Sequence, residues 1–237
     1  MKVIAVVPVY NEKGRIGRVV EKAVRAAAAD VLVVSDASDD GSDEEARGRG
    51  ATVLRHERTL GVGAAIRTGF DYALARDYEI VVVMAGNDKD DPSEIPKLIA
   101  PIVEKGCDYV QGSRYAPGGE HGLMPLHRTV LTRAYPWLVR LVTGFPITDA
   151  TNGFRAIRAR LLRDARLLLH QDWLNRGELE YYLQLQALRL GYKVCEVPVR
   201  KIYPDISAYR RYTKVRPVVD WFGNLRPIVY LTLGIKK

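Results

Sequence analysis

Short, wholly apolar runs alternate with longer mixed stretches along this chain. The runs at 3–7 and 31–34 contain no polar residue, as expected for parallel strands that helices cover on both faces. We predict strands at 3–7, 31–34, 52–54, 79–84, 108–112 and 194–199. We predict helices at 13–29, from 61 onward, and at 92–103, 126–142, 159–169 and 178–190. Strands that alternate with helices indicate an α/β fold with a doubly wound, mostly parallel sheet.

Polar and acidic loops follow three of the predicted strands. Their sequences are PVYNE at 8–12, SDASDDGS at 35–42 and GNDKDDP at 86–92. In an open α/β sheet, ligands bind beyond the carboxyl ends of the strands. The residues placed where a metal ion or a phosphorylated substrate would be held are therefore Asn87, Asp88, Asp90 and Asp91. The alternative is a solvated turn, because Gly, Asn, Asp and Pro are the usual turn residues.

Two common nucleotide-binding signatures are missing from the sequence. The Gly-rich fingerprint of dinucleotide-binding folds does not follow the first strand, where PVYNE stands, and the chain has no GxxxxGK(S/T) phosphate loop. GVGAAIRTG at 61–69 follows the third strand, but glycine spacing alone is a weak signal. The pattern therefore indicates neither a dinucleotide-binding protein nor a P-loop NTPase.

The net charge of +8 comes from the second half of the chain. Residues 1–118 hold 16 Lys and Arg against 19 Asp and Glu, a net of −3, whereas residues 119–237 hold 20 against 9, a net of +11. A basic half favours an anionic partner, which is nucleic acid, phospholipid headgroups or a phosphorylated substrate, unless it is a solvated surface. Because the chain lacks a recognisable nucleic-acid-binding module, we do not expect nucleic acid.

Two basic segments of the second half combine charge with apolar or aromatic residues. At 126–142, apolar residues recur at helical spacing between arginines, and Pro136 should kink or divide the helix. Such a helix lies in a membrane interface or packs its apolar face on the sheet, and packing is the commoner outcome. The tail at 200–216 holds six basic residues and three tyrosines, which suits a membrane–water interface or a phosphate-binding loop.

The cysteines and the apolar runs indicate neither a disulfide nor a targeting segment. Cys107 and Cys195 lie far apart in apolar settings, which fits reduced core thiols. The apolar run at the N-terminus is too short for a signal peptide and contains Pro8. The chain has no run of about 18 uncharged apolar residues, so we predict no transmembrane segment.

Seven motifs follow one another in order over nearly the whole chain. They are PVYNE, SDASDDGS, GVGAAIRTGF, GSRYAPGG, MPLHR, PITDATNGFRAI and LGYKVCEVPV. Together they resemble the motifs of the inverting glycosyltransferases of family 2, which have the GT-A fold, and most closely those of the dolichyl-phosphate mannose synthase-like branch. The resemblance implies a single GT-A domain over residues 1–237, with a nucleotide-binding half at 1–118 and a basic half at 119–237 that faces the acceptor and the membrane.

The resemblance also implies the substrates and the residues that bind them. The donor would be a GDP- or UDP-linked sugar, and the acceptor a polyprenyl or dolichyl phosphate or a lipid-linked glycan. Asp36 corresponds to the family's base-recognising aspartate. The other positions implied in substrate binding are Pro8, Tyr10, Glu12, Gly63, Arg67, Arg114, Arg128 and Arg133. The last three would neutralise phosphates, which suits the planar guanidinium group, and Arg114 is in this way a candidate catalytic residue.

The chain departs from the family at its metal site. The family reads MDADxQxxP, with both aspartates binding Mg²⁺ or Mn²⁺, and here Ala85 and Asn87 stand at those aspartates and Lys89 at the glutamine. Because Asn ligates through its amide oxygen and Asp88 and Asp90 lie close by, we expect a rearranged divalent-metal site. The alternatives are that the Lys89 ammonium supplies part of that charge, or that the chain binds a nucleotide sugar without transferring it.

The reaction implied is inverting transfer of one hexose, of the mannose or glucose class. A phosphate acceptor is already largely ionised at neutral pH, with a second pKa of about 6, whereas a sugar hydroxyl needs a general base. Asp149 and Glu178 are the candidate bases, although Asp149 also fits a loop cap and Glu178 a helix N-terminal carboxylate. We expect the enzyme to bind peripherally at the cytoplasmic face of a membrane. A nucleotidyltransferase is the competing enzyme class.

Overall fold

The computed structural model describes residues 1–26, 28–124, 126–202 and 219–236, which form one seven-stranded sheet with helices packed against it. The strands are β1 (Val3–Val9), β2 (Asp30–Ser35), β3 (Thr52–Arg55), β4 (Ile80–Val83), β5 (Tyr109–Ser113), β6 (Arg155–Arg158) and β7 (Val194–Pro198). The helices are α1 (Ile16–Arg25), α2 (Ser42–Gly48), α3 (Val62–Ala75), α4 (Ile95–Lys105), α5 (Leu126–Thr143), α6 (Ala159–Leu162), α7 (Glu178–Arg189) and α8 (Val219–Thr232). Short 3₁₀ helices at Pro92–Glu94 and Asp172–Leu174 precede α4 and α7.

The strand order of the sheet is β3-β2-β1-β4-β6-β5-β7. Strand β1 pairs in parallel with both β2 and β4, β2 pairs in parallel with β3, and β5 with β7. The order reverses at β1, and at such a reversal the loops after neighbouring strands form a crevice at the carboxyl edge of the sheet. The predicted α/β fold with a mostly parallel sheet is confirmed.

Strand β6 runs antiparallel to both β4 and β5 and is missing from the predicted elements. Its sequence, RAIR, gives no apolar run, because Arg155 is a charged residue in the middle of a sheet. The Arg155 guanidinium is almost fully buried and donates hydrogen bonds to the hydroxyl of Tyr109 at 2.8 Å and to the carbonyl oxygens of Glu180 at 2.9 Å and Asn152 at 2.6 Å. Those partners offset the cost of burying the charge, and two of them, Tyr109 and Glu180, lie far away along the chain.

The two faces of the sheet carry separate apolar layers. Helices α1, α2 and α4 cover one face, with side chains such as Ile16, Leu98 and Ile102 fully buried. Helices α3, α5, α7 and α8 cover the other face, where Phe70 of α3 and Tyr182 of α7 are buried. Each such side chain contributes roughly 1.5–3 kcal/mol by leaving water. The crevice at the carboxyl edge therefore has a rigid base.

Helix α5 is one helix from Leu126 to Thr143, with Pro136 inside it. Its buried face consists of Thr132, Tyr135, Pro136 and Val139, which recur at helical spacing. The apolar stripe that was expected to pack on the sheet is exposed instead: Val130, Leu131, Leu138 and Leu141 all face solvent, as do Leu126 and Trp137. That expectation was wrong, because none of the residues on the buried face belongs to the apolar stripe.

Several helices are shorter than the sequence pattern predicts. Helix α1 begins at Ile16 rather than at 13, because the carbonyl oxygen of Glu12 accepts from the N–H groups of Arg15 and Ile16 in a turn. The helix predicted at 159–169 is confined to α6, because Asp164 accepts from the N–H of Arg166 and begins a turn there. Helix α2 was not predicted.

The cysteines form a disulfide, so the prediction of two reduced thiols was wrong. Cys107 precedes β5 and Cys195 lies in β7, and these strands pair in parallel, which brings the two Cα atoms to 6.3 Å. This separation lies within the range that a disulfide spans. The two cysteines are 88 positions apart in the sequence, so no local pattern indicates that they pair.

Candidate active site

The loops after β1 and β2 are joined by hydrogen bonds at the carboxyl edge of the sheet. Ser38 Oγ accepts from the N–H of Asn11 at 3.1 Å, and Asn11 Oδ1 accepts from the N–H of Asp39 at 3.0 Å. Asn11 and Ala37 have φ angles of 52° and 61°, which is uncommon for residues other than glycine and occurs often at functional sites. The side chain of Tyr10, a predicted donor-binding residue, is exposed beside them.

The other two residues predicted from the PVYNE motif are less accessible. Pro8 lies within β1 and is half-buried. Glu12 is buried: its N–H donates to Ser42 Oγ at 2.8 Å, and its Oε2 lies 2.7 Å from Nε of Arg15. The structure thus brings Pro8, Tyr10 and Glu12 to the edge of the crevice, with Tyr10 the one open to a ligand.

Asp36, the predicted base-recognising aspartate, holds the N-terminus of α3. Its Oδ1 accepts from the N–H of Leu60 and its Oδ2 from the N–H of Gly61, both at 2.8 Å. His56 Nδ1 also lies 2.8 Å from Asp36 Oδ1, and its Nε2 lies 2.9 Å from Thr68 Oγ1. Sequence reasoning missed His56, because a lone histidine near a strand end carries no local signal. Asp36 thereby links the β2 loop to α3.

Gly63 and Arg67, predicted to bind the donor, pack α3 against the segment that precedes α7. A Cβ atom on Gly63 would overlap the carbonyl oxygens of Leu174 and Arg176, so only glycine allows this approach. The Arg67 guanidinium donates to Asn175 Oδ1 and to main-chain carbonyl oxygens of the same segment. Burial lowers the pKa of Arg67. Both residues lie near the crevice but contact protein.

The loop after β4 is tied to α1 by its acidic residue Asp88. Arg18 Nε and Lys22 Nζ lie 2.7 Å and 2.8 Å from the two carboxylate oxygens of Asp88. Asp88 has a φ of 58°, and its side chain meets that helix through these two ion pairs. Because Asp88 and Asp90 bind different cations, the structure does not gather the predicted ligands into one cluster.

Asp90 forms an ion pair with Lys201, which follows β7. Lys201 Nζ donates to Asp90 Oδ1 at 2.6 Å and to Asn152 Oδ1 at 2.9 Å, and all three side chains are buried. Asp90 Oδ2 accepts from the N–H of Ala85 at 3.3 Å. A main-chain hydrogen bond joins the same two segments, because the N–H of Ile202 donates to the carbonyl oxygen of Lys89 at 2.9 Å. Lys201 was predicted only as part of a basic tail, whose residues 203–216 lie outside the described ranges.

Lys89 is the other buried lysine of this loop, with 5% of its surface exposed. Burial, followed by repulsion from Lys201 and Arg128, lowers the pKa of Lys89 to about 7. The attraction of Asp90 and Glu12 opposes this effect but is the smaller influence. The electrostatic field at Lys89 is therefore positive.

The side chains after β4 do not fit a divalent cation. Within the described ranges, no group of three or more His, Cys, Asp or Glu side chains could hold a metal ion. Ala85 offers no side-chain ligand, and the carboxylates of Asp88, Asp90 and Asp91 are each bound by cationic side chains. One observation favours a ligand: Oδ1 of Asn87 is buried, and the described residues give it no hydrogen-bond donor. A single amide oxygen beside two lysines is a poor site for Mg²⁺ or Mn²⁺, which prefer several anionic oxygens.

Arg114 and Asp149, both predicted as catalytic, form a buried ion pair at the end of β5. Burial by itself raises the pKa of Asp149, but the Arg114 guanidinium and hydrogen bonds from Thr151 and from the N–H of Arg114 bring it below its ordinary value. Glu196 Oε1 accepts from the N–H of Asp149 at 3.0 Å and so fixes the loop. An ionised carboxylate whose oxygens are all engaged is suited to orienting Arg114. The general-base role of Asp149 stays a prediction.

Glu178 lies at the N-terminus of α7 and is buried. Its Oε1 lies 3.3 Å from Nη1 of Arg226 on α8, and its Oε2 is buried without a hydrogen-bond donor among the described residues. The helix dipole stabilises a carboxylate at this position. The unpartnered oxygen leaves room for a hydrogen bond to a ligand, and the predicted base role is not decided by the geometry.

A cavity of about 530 Å³ lies between the end of β5 and helix α5. Three arginines line it, together with Tyr115 and Trp137; the arginines are Arg114, Arg133 and Arg140. The guanidinium of Arg133 lies 5.3 Å from the ring centre of Tyr115 and that of Arg140 lies 5.2 Å from the ring centre of Trp137, distances at which a cation is attracted to an aromatic face. The cavity suits an anionic group with an apolar extension.

Arg128, the remaining predicted phosphate-binding residue, lies in the first turn of α5. Its charge contributes to lowering the pKa of Lys89 in the β4 loop and opposes the rise in the pKa of Tyr181 on α7. Arg128 therefore acts electrostatically on both elements.

A parallel sheet that reverses at β1, polar loops at its carboxyl edge and a basic cavity beside them define the class of GT-A glycosyltransferases. The sequence profile of glycosyl transferase family 2 matches residues 4–166, and the chain belongs to that family. The predicted resemblance to its dolichyl-phosphate mannose synthase-like branch is confirmed by the relatives that the chain matches.

Two of these relatives are 32% identical in sequence to the chain over the aligned residues. One is the undecaprenyl-phosphate mannosyltransferase of Micrococcus luteus, over 87% of this chain and 86% of that protein. The other is the polyprenol monophosphomannose synthase of Mycolicibacterium smegmatis, over 84% and 76%. Among solved structures, the glucosyl-3-phosphoglycerate synthase of Mycobacterium tuberculosis, in complex with Mn²⁺, UDP and phosphoglyceric acid, matches with a TM-score of 0.67 and 19% identity, over 98% of this chain and 78% of that chain. The chain is a glycosyltransferase.

Proposed function

We propose that this enzyme transfers a hexose of the mannose class from a GDP- or UDP-linked donor to a polyprenyl phosphate. The observation that carries the proposal is the cavity between β5 and α5. Its three arginines suit a phosphate and its aromatic walls suit the first isoprene units. The two relatives at 32% identity act, by their names, on polyprenyl phosphates as mannosyltransferases.

The chemistry of transfer follows from the charges of the two substrates. An oxygen of the acceptor phosphate forms a bond to C1 of the hexose while the bond from C1 to the donor diphosphate breaks, which inverts the configuration at C1. The acceptor oxygen is already ionised at neutral pH, so no proton has to be removed. The nucleoside diphosphate that leaves gains negative charge, and preorganised cationic groups lower the barrier by stabilising it.

The residues of the chain divide between donor and acceptor in this proposal. Tyr10 and the loop held by Asp36 contact the nucleoside, and Arg128 bridges the reacting phosphates. Arg114, oriented by Asp149, and Arg133 bind the acceptor phosphate. For a phosphate acceptor, neither Asp149 nor Glu178 acts as a base.

No step of this reaction is assigned to a divalent cation. Solved structures of the same fold hold Mn²⁺ or Mg²⁺ together with UDP, but the side chains after β4 in this chain do not fit such an ion. The donor diphosphate must still be neutralised.

The acceptor would be reached at a membrane surface. In the described ranges, no helix is long and apolar enough to cross a membrane. Helix α5 exposes Leu126, Trp137 and Leu141, and its arginines lie among them. A helix with these two kinds of side chain binds an anionic bilayer surface by partial insertion and by charge, and this would deliver a polyprenyl phosphate to the cavity that α5 lines.

The test is transfer of radiolabel from GDP-mannose or UDP-glucose to undecaprenyl phosphate in detergent micelles. We expect an organic-extractable product with one of the donors, and none with undecaprenol, which lacks the phosphate. Arg133→Met should lower the rate about tenfold because it removes a charge-assisted hydrogen bond. Arg163→Met, at an exposed site, is the matched control. Nucleotide binding without any transfer would instead support a catalytically impaired binding protein.

A further inference from the structure

The position that holds the metal in related enzymes is occupied in this chain by lysines. All three acidic side chains of the β4 loop are engaged within the protein, Asp88 by α1, Asp90 by Lys201 and Asp91 by Ser93 and Arg200. In this arrangement Lys201 engages one oxygen of Asp90 at 2.6 Å, and the N–H of Ala85 donates to the other at 3.3 Å. When a lysine pairs with a carboxylate that could bind a metal, the carboxylate is engaged and the ammonium group supplies a positive charge at the same place.

Lys201 is held there by contacts from three parts of the fold. Its ammonium donates to Asp90 after β4 and to Asn152 before β6, and its main-chain N–H donates to the carbonyl oxygen of Glu120 at 2.8 Å. The side chain is 7% exposed. An ammonium group carries three hydrogens, and the acceptors found among the described residues use two, so one remains to bind an anion.

The charges around the loop favour an anionic ligand over a cationic one. Lys89 and Lys201 are both buried at this loop, so two ammonium groups are held in a small volume. The nearby carboxylates are already paired, Asp90 with Lys201 and Glu12 with Arg15. A divalent cation would enter a positive region, whereas a diphosphate would enter it favourably.

We propose that the ammonium groups of Lys201 and Lys89 take the place of the divalent cation and bind the donor diphosphate directly, so that hexose transfer by this chain requires no metal ion. This inference rests on the proposed function, because it assigns the donor's diphosphate to the β4 loop. Lys201 is bound in a fixed position by Asp90 and Asn152, as a metal would be by its ligands. The arrangement is preorganised, which is what stabilising a leaving group requires.

The first experiment uses the unmodified chain and no substitution. Protein stripped of metal on a chelating resin is titrated calorimetrically with GDP and with UDP, first in excess EDTA and then in Mn²⁺. We expect one nucleotide to bind with the same affinity in both buffers, within about twofold. Transfer to undecaprenyl phosphate, measured in parallel, should likewise persist in EDTA.

Substitutions then test which cations are responsible. Lys201→Met alone would leave the Asp90 carboxylate buried without its partner, so it is combined with Asp90→Asn, which removes both charges. This double variant and Lys89→Met should each weaken binding of the nucleoside diphosphate in EDTA by roughly 10- to 100-fold, the effect of losing a charge-assisted hydrogen bond. Binding of GMP or UMP, which lack the second phosphate, should change less.

Lys97→Met is the matched control, because Lys97 is an exposed lysine on α4 that pairs with Glu94. It should bind nucleotide as the unmodified chain does, and thermal unfolding shows whether each variant is folded. Loss of binding in EDTA with recovery in Mn²⁺ would overturn this inference and leave the proposed function standing. Undiminished diphosphate binding by both lysine variants would overturn it too. No binding of either nucleotide in any buffer would overturn the inference and the proposed function together.

Discussion

Arg114 and Asp149 form a bidentate ion pair in the interior of the protein. Nε of Arg114 lies 2.6 Å from Oδ2 of Asp149, and Nη2 lies 2.9 Å from Oδ1. Both side chains are at most 1% exposed. The pair joins the end of β5 to the loop before β6, and it fixes the plane of the guanidinium that lines the basic cavity. Its integrity matters for both stability and acceptor binding.

Asp149→Asn should destabilise the protein strongly. The substitution keeps the shape of the side chain but leaves the Arg114 guanidinium buried without a counter-charge, and breaking a buried pair costs about 3–5 kcal/mol. The free energy of unfolding in urea measures the effect. Asp77→Asn, at an almost fully exposed site, is the control and should not shift the midpoint. Equal midpoints for Asp149→Asn and the unmodified chain would contradict the buried pair.

The same pair predicts a specific loss of stability in acid. The pKa of Asp149 in the folded protein is below the ordinary value of 3.8, so the folded state binds this proton less tightly than the unfolded state does. The stabilisation is therefore complete above pH 3.8 and is lost as the pH falls below it, through the lowered pKa. Other carboxylates contribute to the acid limb of the unmodified chain.

The comparison with Asp149→Asn isolates this one group. The free energy of unfolding of the two proteins should differ most near neutral pH, and the difference should shrink between pH 3.8 and lower values. A difference that stays constant down to the acid transition would mean that Asp149 has an ordinary pKa.

Gly63→Ala should destabilise the protein by about 1–3 kcal/mol. The added methyl group would overlap the carbonyl oxygens of Leu174 and Arg176, so either α3 or the segment before α7 must move. Gly48→Ala is the control: Gly48 ends α2 and has open space around its Cα. Alanine there should stabilise by roughly 0.4–1 kcal/mol. Chemical unfolding of both variants tests the contrast, and a neutral Gly63→Ala would show that α3 does not pack so closely.

The disulfide should contribute about 2–4 kcal/mol to stability, because it closes a long loop in the unfolded chain. The unmodified protein should show no free thiol until it is unfolded and reduced, and then two. Reduction should lower the unfolding temperature. In the double variant Cys107→Ser with Cys195→Ser, a reductant should have no effect. Two thiols that titrate without reductant would mean that the bond is absent in solution.

Helix α5 should carry the membrane affinity of the protein. Leu126→Glu with Leu141→Glu replaces two of its most exposed apolar side chains, so it removes the insertion and adds repulsion from anionic lipid. We expect flotation with phosphatidylcholine–phosphatidylglycerol vesicles to fall at least about tenfold. Val103→Glu, exposed on α4, is the matched control and should float as the unmodified protein does. Equal flotation of all three would place the membrane contact elsewhere.

The chain's local patterns predict the parts of the fold that depend on neighbours in sequence. The apolar runs locate β1, β2, β4 and β5 to within one or two residues, since a strand buried on both faces needs apolar side chains throughout. Strand β6 is missed, because Arg155 is satisfied by partners that no local pattern includes. The expected packing of α5 failed for a related reason: its apolar stripe is not the face that meets the core.

The candidate site divides in the same way. Motifs in the sequence located the β1, β2 and β4 loops and Arg114, Arg128 and Arg133, because these positions recur in order along the family. The partner of each charged group was not readable. That Asp88 would bind α1, and that Asp36 would hold the N-terminus of α3, depends on which helix lies beside each loop.

The sequence by itself determined the class of fold, the family and the loss of the usual metal ligands at Ala85 and Asn87. Only the tertiary structure showed that Lys201 pairs with Asp90 and that Cys107 meets Cys195. Both contacts join residues about 90 to 110 positions apart, and they form because the sheet places β5 next to β7 and the end of β7 next to the β4 loop. Hydrophobic periodicity encodes which face of an element is buried, but pairing between distant polar groups is decided by the assembled sheet.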